Sequence, residues 1–258
     1  MIYPLSAAWF ALSLSLGMLL CLAIGRWLGV RRMRQETADA RQGIGAIEGA
    51  VFGLMGLLIA FTFSGATSRF DTRRQLIVEE ANAIGTAYLR LDLLPAAAQP
   101  ALRELFRRYV DTRLTAYGKL PDIPAALEEL ARATTLQGEI WAQATTACQM
   151  ASAQAATMLV LPALNAMIDI TTTRTMAART HPPWIIFVML LVLTLTSALF
   201  IGYDTAGGTT HHWLHILGFV TIMTAAVYVI MDIEFPRFGL IRVDAVDQLL
   251  VDVRKSME

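Results

Sequence analysis

The chain has 258 residues, of which 55% are hydrophobic and only 16% are charged, and its mean hydropathy is +0.52. Soluble domains usually carry about 25% charged residues, so this composition argues against an ordinary soluble enzyme and excludes a disordered chain. The 21 Lys and Arg residues balance the 21 Asp and Glu residues, and global charge therefore gives no indication of nucleic-acid binding. The composition predicts an integral membrane protein.

Four stretches that lack Asp, Glu, Lys and Arg are long enough to cross a membrane. A transmembrane helix needs about 20 mainly apolar residues, and tryptophans near the ends of these stretches are typical of the membrane interface. The stretches are 1–25, 49–68, 182–203 and 205–231, with the first and last spans expected at 5–25 and 213–231. We therefore predict an all-α membrane protein with four transmembrane helices.

A polar helical domain is predicted between the second and third spans. Residues 69–181 are rich in helix formers and lack the period-two alternation of strands. A helix is expected at 101–117 and one helix or two at 125–158. Pro162 is expected to kink or split the chain before a helix at 164–179. The predicted organisation is two spans with a basic connecting loop at 1–68, the helical extramembrane domain at 69–181, the last two spans at 182–235, and a polar C-terminal tail at 236–258.

The second span is expected to continue beyond the membrane as one long helix. Residues 44–94 contain no proline, and a helix of this length would extend about 75 Å at 1.5 Å per residue. A seam with alternating spacings of three and four follows it, which is the heptad pattern. Within the membrane the seam residues are small, as close helix contacts in lipid require, and beyond it most are large and apolar. The seam comprises Ala46, Gly49, Gly53, Gly56, Ala60, Phe63, Thr67, Phe70, Arg74, Ile77, Ala81, Ile84, Tyr88 and Leu91.

The seam has two interpretations, and the sequence leaves both open. In the first, the long helix packs against other helices of its own chain. In the second, equivalent helices from several copies surround a common axis. The pore or oligomer axis then contains Gly49, Gly53, Gly56, Ala60, Phe63 and Phe70, and the helix seam outside the membrane contains Ile77, Ala81, Ile84, Tyr88 and Leu91.

Several segments of the chain resemble a bacterial family of membrane proteins of unknown function that is named bestrophin-like. They are GLLIAFTFSGA at 56–66, RFDTRR at 69–74, EEANAIGTAYLR at 79–90 and DIEFPRFGLI at 232–241. Bestrophins themselves are pentameric anion channels whose second span lines the pore through aromatic necks. The resemblance implies a homo-oligomeric channel whose second span carries Phe52, Phe61 and Phe63 as its aromatic residues.

Arg69, Arg73 and Arg74 follow directly after the second span. A ring of arginines at a pore mouth would concentrate anions, so these three residues are the predicted anion-attracting mouth. The alternative is that they extend to the membrane interface as arginines at span ends commonly do. Asp71, three residues before Arg74, is then a local partner.

Signals for metal or enzyme chemistry are weak. His211, His212 and His215 cluster before the fourth span, but no carboxylate or cysteine in that loop completes a metal site. We interpret them as interfacial histidines and predict no metal and no cofactor. No P-loop, nucleophile elbow or zinc-protease motif occurs, so no enzymatic activity is predicted.

The remaining candidates are two residues of the long helix, one acidic residue of the polar domain and three acidic residues at span ends. Asn82 and Gly85 are locally unusual, because Gly costs about 1 kcal/mol relative to Ala inside a helix. A close helix contact or a hinge at Gly85 would explain this choice. The acidic candidates, which we expect to be solvated at interfaces, are Asp169, Asp204, Asp232 and Glu234.

The arginines between the first two spans predict the orientation. Short cytoplasmic loops are enriched in Lys and Arg, and this loop carries Arg26, Arg31, Arg32, Arg34 and Arg41. The loop is therefore expected in the cytoplasm of a bacterium and the helical domain on the periplasmic side of the inner membrane. Four basic residues in the C-terminal tail oppose this orientation, so the margin is small.

The leading functional hypothesis is a bestrophin-like oligomeric channel or pore, with anions as the candidate ions and the second span lining the axis. Its partners would be the lipid bilayer, further copies of the chain and inorganic ions, with no nucleic acid. The alternative is a non-conducting membrane sensor or scaffold whose long helix couples the helical domain to the spans.

Overall fold

The computed structural model describes residues 5–32, 38–150, 154–207 and 213–258, and within these ranges it contains helices and no strands. The prediction of an all-α fold is confirmed. The helices are α1 (Leu5–Arg32), α2 (Ala38–Arg90), α3 (Gln99–Gly118), α4 (Ile123–Met150), α5 (Gln154–Arg179), α6 (Trp184–Asp204), α7 (Trp213–Glu234) and α8 (Asp244–Lys255), with 3-10 turns at Leu91–Leu93 and Thr205–Gly207.

Four helical segments of the described chain are long and apolar enough to cross a membrane. They are Trp9–Arg32, Gly45–Leu93, Ala155–Asp204 and Trp213–Glu234. In the third segment, the charge-free stretch at 182–203 lies mostly in α6. Helices suit this environment because they satisfy every backbone hydrogen bond within the segment, where lipid offers no partner. The four predicted spans therefore correspond to α1, the first half of α2, α6 and α7.

The chain forms two compact units, and α2 contributes to both. The membrane unit comprises 1–68 and 181–241, and the helical unit comprises 69–180 and 242–258. The segment predicted as a C-terminal tail is thus divided, because its last residues fold with the helical unit.

Glycines allow α1 and α6 to pack closely in the membrane unit. A Cβ atom at Gly25 of α1 would overlap the carbonyl oxygen of Leu199, and one at Gly202 of α6 would overlap the carbonyl oxygen of Leu22. Small residues permit such backbone contacts in lipid, where van der Waals packing holds helices together.

The helical unit surrounds one hydrophobic core that is supplied by α2, α3, α4, α5 and α8. Phe106 and Tyr109 of α3 are fully buried, and so are Ile140 of α4 and Leu164 of α5. Leu102, Leu105, Phe106 and Tyr109 have the helical spacing that the sequence indicates for α3.

Pro162 does not split a helix, which was one of the two outcomes predicted for it. It lies inside α5, which is continuous from Gln154 to Arg179, whereas α4 ends earlier, at Met150. A proline removes the hydrogen bond to the carbonyl four residues before it, which belongs to Met158. Both Pro162 and Met158 are on the exposed side of α5, where water can bind that carbonyl group.

The C-terminal helix α8 covers part of the core of the helical unit. Leu250 and Met257 are buried, at 0% and 2% exposure. The carbonyl oxygen of Met257 accepts hydrogen bonds from the hydroxyl of Tyr88 at 3.2 Å and from Nε of Arg107 at 2.9 Å. Although the sequence of this segment is polar overall, its apolar residues recur at helical spacing and attach it to the unit.

Candidate functional site

Helix α2 carries the residues that the sequence predicts for the axis, the mouth and the seam, except Leu91, which begins the 3-10 turn directly after it. Its 53 residues run without interruption from Ala38 to Arg90, as the absence of proline indicates. The location of each candidate therefore depends on which face of α2 it occupies.

The small seam residues in the membrane have no partner within the described chain. A Cβ atom added at Gly49, Gly53 or Gly56 would meet nothing within 4 Å. Ala60 is exposed as well, and Phe63 is 45% exposed. This part of the seam does not pack against the described helices of its own chain, so the first interpretation does not hold for these residues.

A different face of α2 contacts the membrane unit. Met55 is 6% exposed and Ala66 is 0% exposed. The hydroxyl of Ser197 on α6 donates a hydrogen bond to Sδ of Met55 at 3.3 Å. The face that bears the glycines is thus left uncovered while its opposite side is packed.

The outer part of the seam lies in the core of the helical unit. Its exposures are at most 6%, and the residues are Ile77, Ala81, Ile84, Tyr88 and Leu91. The seam is therefore not one surface, since its membrane part is exposed and its outer part is buried. The reason is that the heptad spacing of the seam is shorter than two turns of an α-helix. A strict heptad repeat drifts by about 20° per heptad around a straight α-helix, so over six heptads the seam moves by more than about 100° around α2.

Arg73 does not fit the predicted anion-attracting mouth. It is only 8% exposed, and its guanidinium donates from Nε to the carbonyl oxygen of Ala177 at 3.1 Å and from Nη2 to that of Thr180 at 2.9 Å. The last carbonyl groups of a helix lack intrahelical partners, so Arg73 satisfies the C-terminal end of α5, where a cation is also favoured by the helix dipole.

The other two arginines of the predicted mouth differ in exposure. Arg74 is exposed, its Nη1 lies 3.6 Å from Oδ1 of Asp71, and its guanidinium carbon lies 5.7 Å from the ring centre of Phe70. Arg69 and Phe70 are half-buried. Of the three arginines, Arg74 has the side chain most accessible to an ion, and Asp71 partly neutralises it.

A buried ionic network in the helical unit was missed by the sequence-based reasoning. Glu80 of α2 is 0% exposed and accepts hydrogen bonds from Arg113 of α3 and Arg174 of α5. Nη2 of Arg174 also lies 3.0 Å from Oδ1 of Asp247 on α8. The two arginines and two carboxylates sum to zero charge, and the network joins four helices. Glu80 lies three residues after Ile77 and four before Ile84, a spacing that could have indicated its burial.

The electrostatics of this network favour charged arginines. Burial opposes the charge on Arg113, but the negative potential of Tyr117 and Glu80 outweighs it and raises the pKa of that guanidinium. Burial likewise opposes the charge on Arg174, and Tyr117 and Glu80 again raise the pKa above its usual value. Deep burial raises the pKa of the neighbouring Tyr109 hydroxyl. The raised pKa values keep both guanidinium groups charged at neutral pH.

Asp232 at the end of α7 is buried, contrary to the expectation of a solvated acid. It is 3% exposed, and its carboxylate accepts hydrogen bonds from the backbone N–H groups of Leu240 at 3.0 Å and Ile241 at 2.8 Å. A Cβ atom at Gly239 would overlap this carboxylate. Asp232 therefore holds the turn that follows the fourth span.

Glu234 is also buried, at 0% exposure. Its Oε1 lies 2.8 Å from Nδ1 of His181, and the ring of His181 lies 4.6 Å from that of Phe235. This contact joins the segment before α6 to the end of α7. Asp204 and Asp169, by contrast, are exposed as expected.

The remaining candidates supply no site within the described residues. His211 and His212 lie outside those residues, and His215 is exposed. No group of three His, Cys, Asp or Glu residues in the described ranges could hold a metal ion. The close helix contact expected at Gly85 is not made by the described part of the chain, because a Cβ atom there would meet nothing within 4 Å.

Comparison with known proteins agrees with this architecture. A family model described as a bestrophin-like domain matches residues 16–247. Crystal structures of two variants of a bacterial bestrophin homologue from Klebsiella pneumoniae each have a TM-score of 0.63, with 15% and 14% identity, and cover 95% of this chain and 98% of their own. A crystal structure of a membrane protein matches with a TM-score of 0.61, at 15% identity, over 92% of this chain and 97% of its own. No curated protein matches the chain.

Proposed function

The chain belongs to the bestrophin-like family, and from this premise we propose that it forms an oligomeric ion channel in which α2 of each copy faces a common axis. Bestrophins are anion channels, and anions are accordingly the proposed ions. Bestrophins are known as channels and not as enzymes, and we propose the same for this chain.

The observation that carries the proposal is the uncovered glycine face of α2. Three glycines within eight residues leave the helix backbone bare at Gly49, Gly53 and Gly56, with no contact from the described chain. Small residues offer no particular advantage where a helix faces lipid tails, but they allow neighbouring helices to approach closely and pack. Other copies of α2 around an axis are the partners that this face suits.

Aromatic side chains beside the glycine face supply a constriction in this proposal. Phe63 is 45% exposed and Phe61 is 68% exposed. Rings of apolar side chains can gate a pore by excluding water. We assign this role to Phe63, because it belongs to the same row as Gly56 and Ala60.

The proposal that the conducted ions are anions rests more on the family than on the arginines. The guanidinium of Arg73 donates hydrogen bonds to backbone carbonyl groups at the C-terminal end of α5. The guanidinium of Arg74 lies beside the carboxylate of Asp71. Only Arg74 is retained in the proposed mouth as an exposed cation, with Arg69 adjoining it. A partly neutralised mouth would favour anions weakly.

Crosslinking tests the position of α2. Gly53→Cys and Ala60→Cys are prepared in a background without Cys21 and Cys148, and membranes are oxidised before electrophoresis. We expect covalent dimers at both positions because equivalent residues meet near the axis. Ile222→Cys on α7 is the control, since Ile222 is 68% exposed but is not on α2. Absence of dimers at both α2 positions contradicts the proposal.

We further propose that the helical unit lies on the periplasmic side of a bacterial inner membrane, because the basic loop between the first two spans favours the cytoplasm. Fusion of alkaline phosphatase after Gly118, an exposed residue at the end of α3, should give an active enzyme. An active β-galactosidase at the same position would reverse this orientation.

A sensor or scaffold is the second candidate. One observation favours it, namely that α2 is a single uninterrupted helix shared by both units. Such a helix can carry a displacement without any ion flow. A folded oligomer that never conducts and that retains a specific partner would support this function instead.

A further inference from the structure

An exposed row of side chains on α1 leads along the membrane unit to an arginine. Its members are separated by three or four positions, which places them on one side of the helix. The four apolar members are 41% to 61% exposed in the described chain, and the arginine at the end is exposed as well. The row comprises Leu16, Leu20, Ile24, Trp27 and Arg31, and it is called the α1 stripe.

The last two members of the α1 stripe are stacked on each other. The guanidinium carbon of Arg31 lies 3.8 Å from the ring centre of Trp27. A cation over the face of an indole ring is held by the ring electrons, and this contact leaves the in-plane N–H groups of the guanidinium available. Such N–H groups match two oxygens of a phosphate at once. The end of α1 therefore presents a positioned group that suits a phosphate.

The positive charge at this end of α1 is not balanced. Within the described ranges, Arg26, Arg31 and Arg32 form no ion pair with a carboxylate, and Asp204 at the end of α6 is no exception. The sequence over 26–41 contains five arginines but only two acidic residues. An anionic group is the complement that this end of the helix lacks.

The stacked pair lies at one end of the membrane unit. Helices α1 and α6 run parallel, because Gly25 lies against Leu199 and Gly29 lies against Tyr203, so both helices end on the same side. The next span begins close by in sequence with Trp213, which is 63% exposed. Exposed tryptophans are typical of the membrane interface. The cationic end of the α1 stripe is therefore at the depth of lipid headgroups, and its leucines are at the depth of acyl chains.

We propose that the α1 stripe binds an anionic phospholipid. The phosphate is bound by Arg31, with Arg32 adding a second positive charge, and an acyl chain lies along Ile24, Leu20 and Leu16. A phospholipid is the occupant because it joins an anion to an apolar chain in the order that the stripe presents, and basic groups at span ends bind anionic headgroups. This binding does not require ion conduction, and so it stands apart from the proposed channel.

The first test is lipid retention by the purified protein, measured by native mass spectrometry. Phosphatidylglycerol is compared with phosphatidylcholine of the same acyl chains, and we expect the wild type to retain more of the anionic lipid. Arg31→Gln should lower this preference about fivefold. Arg108→Gln is the control, because it removes the same charge from an exposed position on α3 and should leave the preference unchanged. Equal retention of the two lipids by the wild type, or an unchanged preference in Arg31→Gln, would overturn the inference.

The second test concerns the stacked ring. Trp27→Leu keeps an apolar side chain but removes the face on which the guanidinium lies, so we expect a lower preference for phosphatidylglycerol. Trp9→Leu is the matched control, since Trp9 is 60% exposed near the other end of α1. Equal preferences in the two variants would contradict the positioning of Arg31 by the ring.

The third test separates a phospholipid from free phosphate, which offers the same oxygens. An excess of inorganic phosphate should leave phosphatidylglycerol bound, because the acyl chain contributes through its apolar contact. Leu20→Ser should weaken retention, whereas Ile222→Ser, at a 68% exposed position of α7, should not. Displacement by inorganic phosphate, with no effect of Leu20→Ser, would show a site for free phosphate and overturn the lipid assignment.

Discussion

Nε of Arg113 donates a hydrogen bond of 2.7 Å to Oε1 of Glu80, and both side chains are almost completely buried. The second oxygen of this carboxylate accepts from Arg174, which also contacts Asp247. Because each charge is balanced by another, the helical unit tolerates four ionised groups in its interior.

Removing the central carboxylate should strongly destabilise the protein. Glu80→Gln leaves two buried guanidinium groups with a single compensating charge, and breaking a buried pair typically costs about 3–5 kcal/mol. We expect a lower midpoint of thermal unfolding in detergent. Glu79→Gln is the matched control, because Glu79 is exposed and surface changes usually stay within about 0.5 kcal/mol. Equal midpoints for the two variants would contradict the importance of the network.

Glu129 should contribute a pH-dependent part of the stability. Its hydrogen bond from Lys119, at 2.6 Å, lowers the pKa of the carboxyl below its ordinary value of 4.5, with Arg132 adding to the effect against the opposing desolvation. A depressed folded pKa gives stability that is present above about pH 4.5 and is lost as the pH falls through the folded value.

The measurement is the midpoint of thermal unfolding between pH 7 and pH 3. Below about pH 4.5, the midpoint of thermal unfolding should fall further in the wild-type protein than in Glu129→Gln, since the variant has no carboxylate to protonate at this position. Glu128→Gln, which changes an exposed neighbour, should follow the wild type. The same pH dependence in all three proteins would exclude this contribution.

Arg73 and Arg74 should separate stability from conduction. Arg73→Gln removes two charge-assisted hydrogen bonds to the end of α5, each worth about 1.5–3 kcal/mol, and should lower the midpoint of unfolding. Arg74→Gln removes an exposed cation at the proposed mouth and should leave the midpoint nearly unchanged while reducing anion current. If Arg73→Gln is as stable as the wild type but carries a reduced current, Arg73 belongs to the proposed mouth and the structural role assigned to it is contradicted.

The contact of α1 with α6 should depend on Gly25. Gly25→Ala introduces a Cβ atom that overlaps the carbonyl oxygen of Leu199, and overpacking of this kind costs about 1–3 kcal/mol. We expect less folded protein by size-exclusion chromatography. Gly218→Ala on α7 serves as control, because a Cβ atom there meets nothing within 4 Å. Equal yields from the two variants would argue against the close packing.

The spans and the long helix follow from the sequence because lipid imposes strong local rules. Charge-free stretches must be about 20 residues long, and the absence of proline between 44 and 94 allows an uninterrupted helix. The assignment of faces on α2 does not follow from the sequence. In the apolar membrane part, periods of 3.5 and 3.6 fit equally well, and only the buried positions in the structure distinguish them.

The partners of the buried acidic residues could not be predicted for a related reason. The charge of Glu80 is neutralised by Arg113 and Arg174, which are distant in sequence. A charged side chain can be buried only when it has such partners. Asp232 depends on backbone N–H groups of a later turn. Local patterns carry no information about either arrangement.

Recording from purified protein in planar lipid bilayers tests the proposed channel most directly. We predict ion currents in the wild type, and we predict that Phe63→Ala changes their amplitude at least about threefold, because it removes an exposed ring from the proposed constriction. Leu214→Ala, which alters an exposed residue of α7, should leave the current unchanged. A folded, oligomeric wild-type protein that carries no current would contradict the channel function.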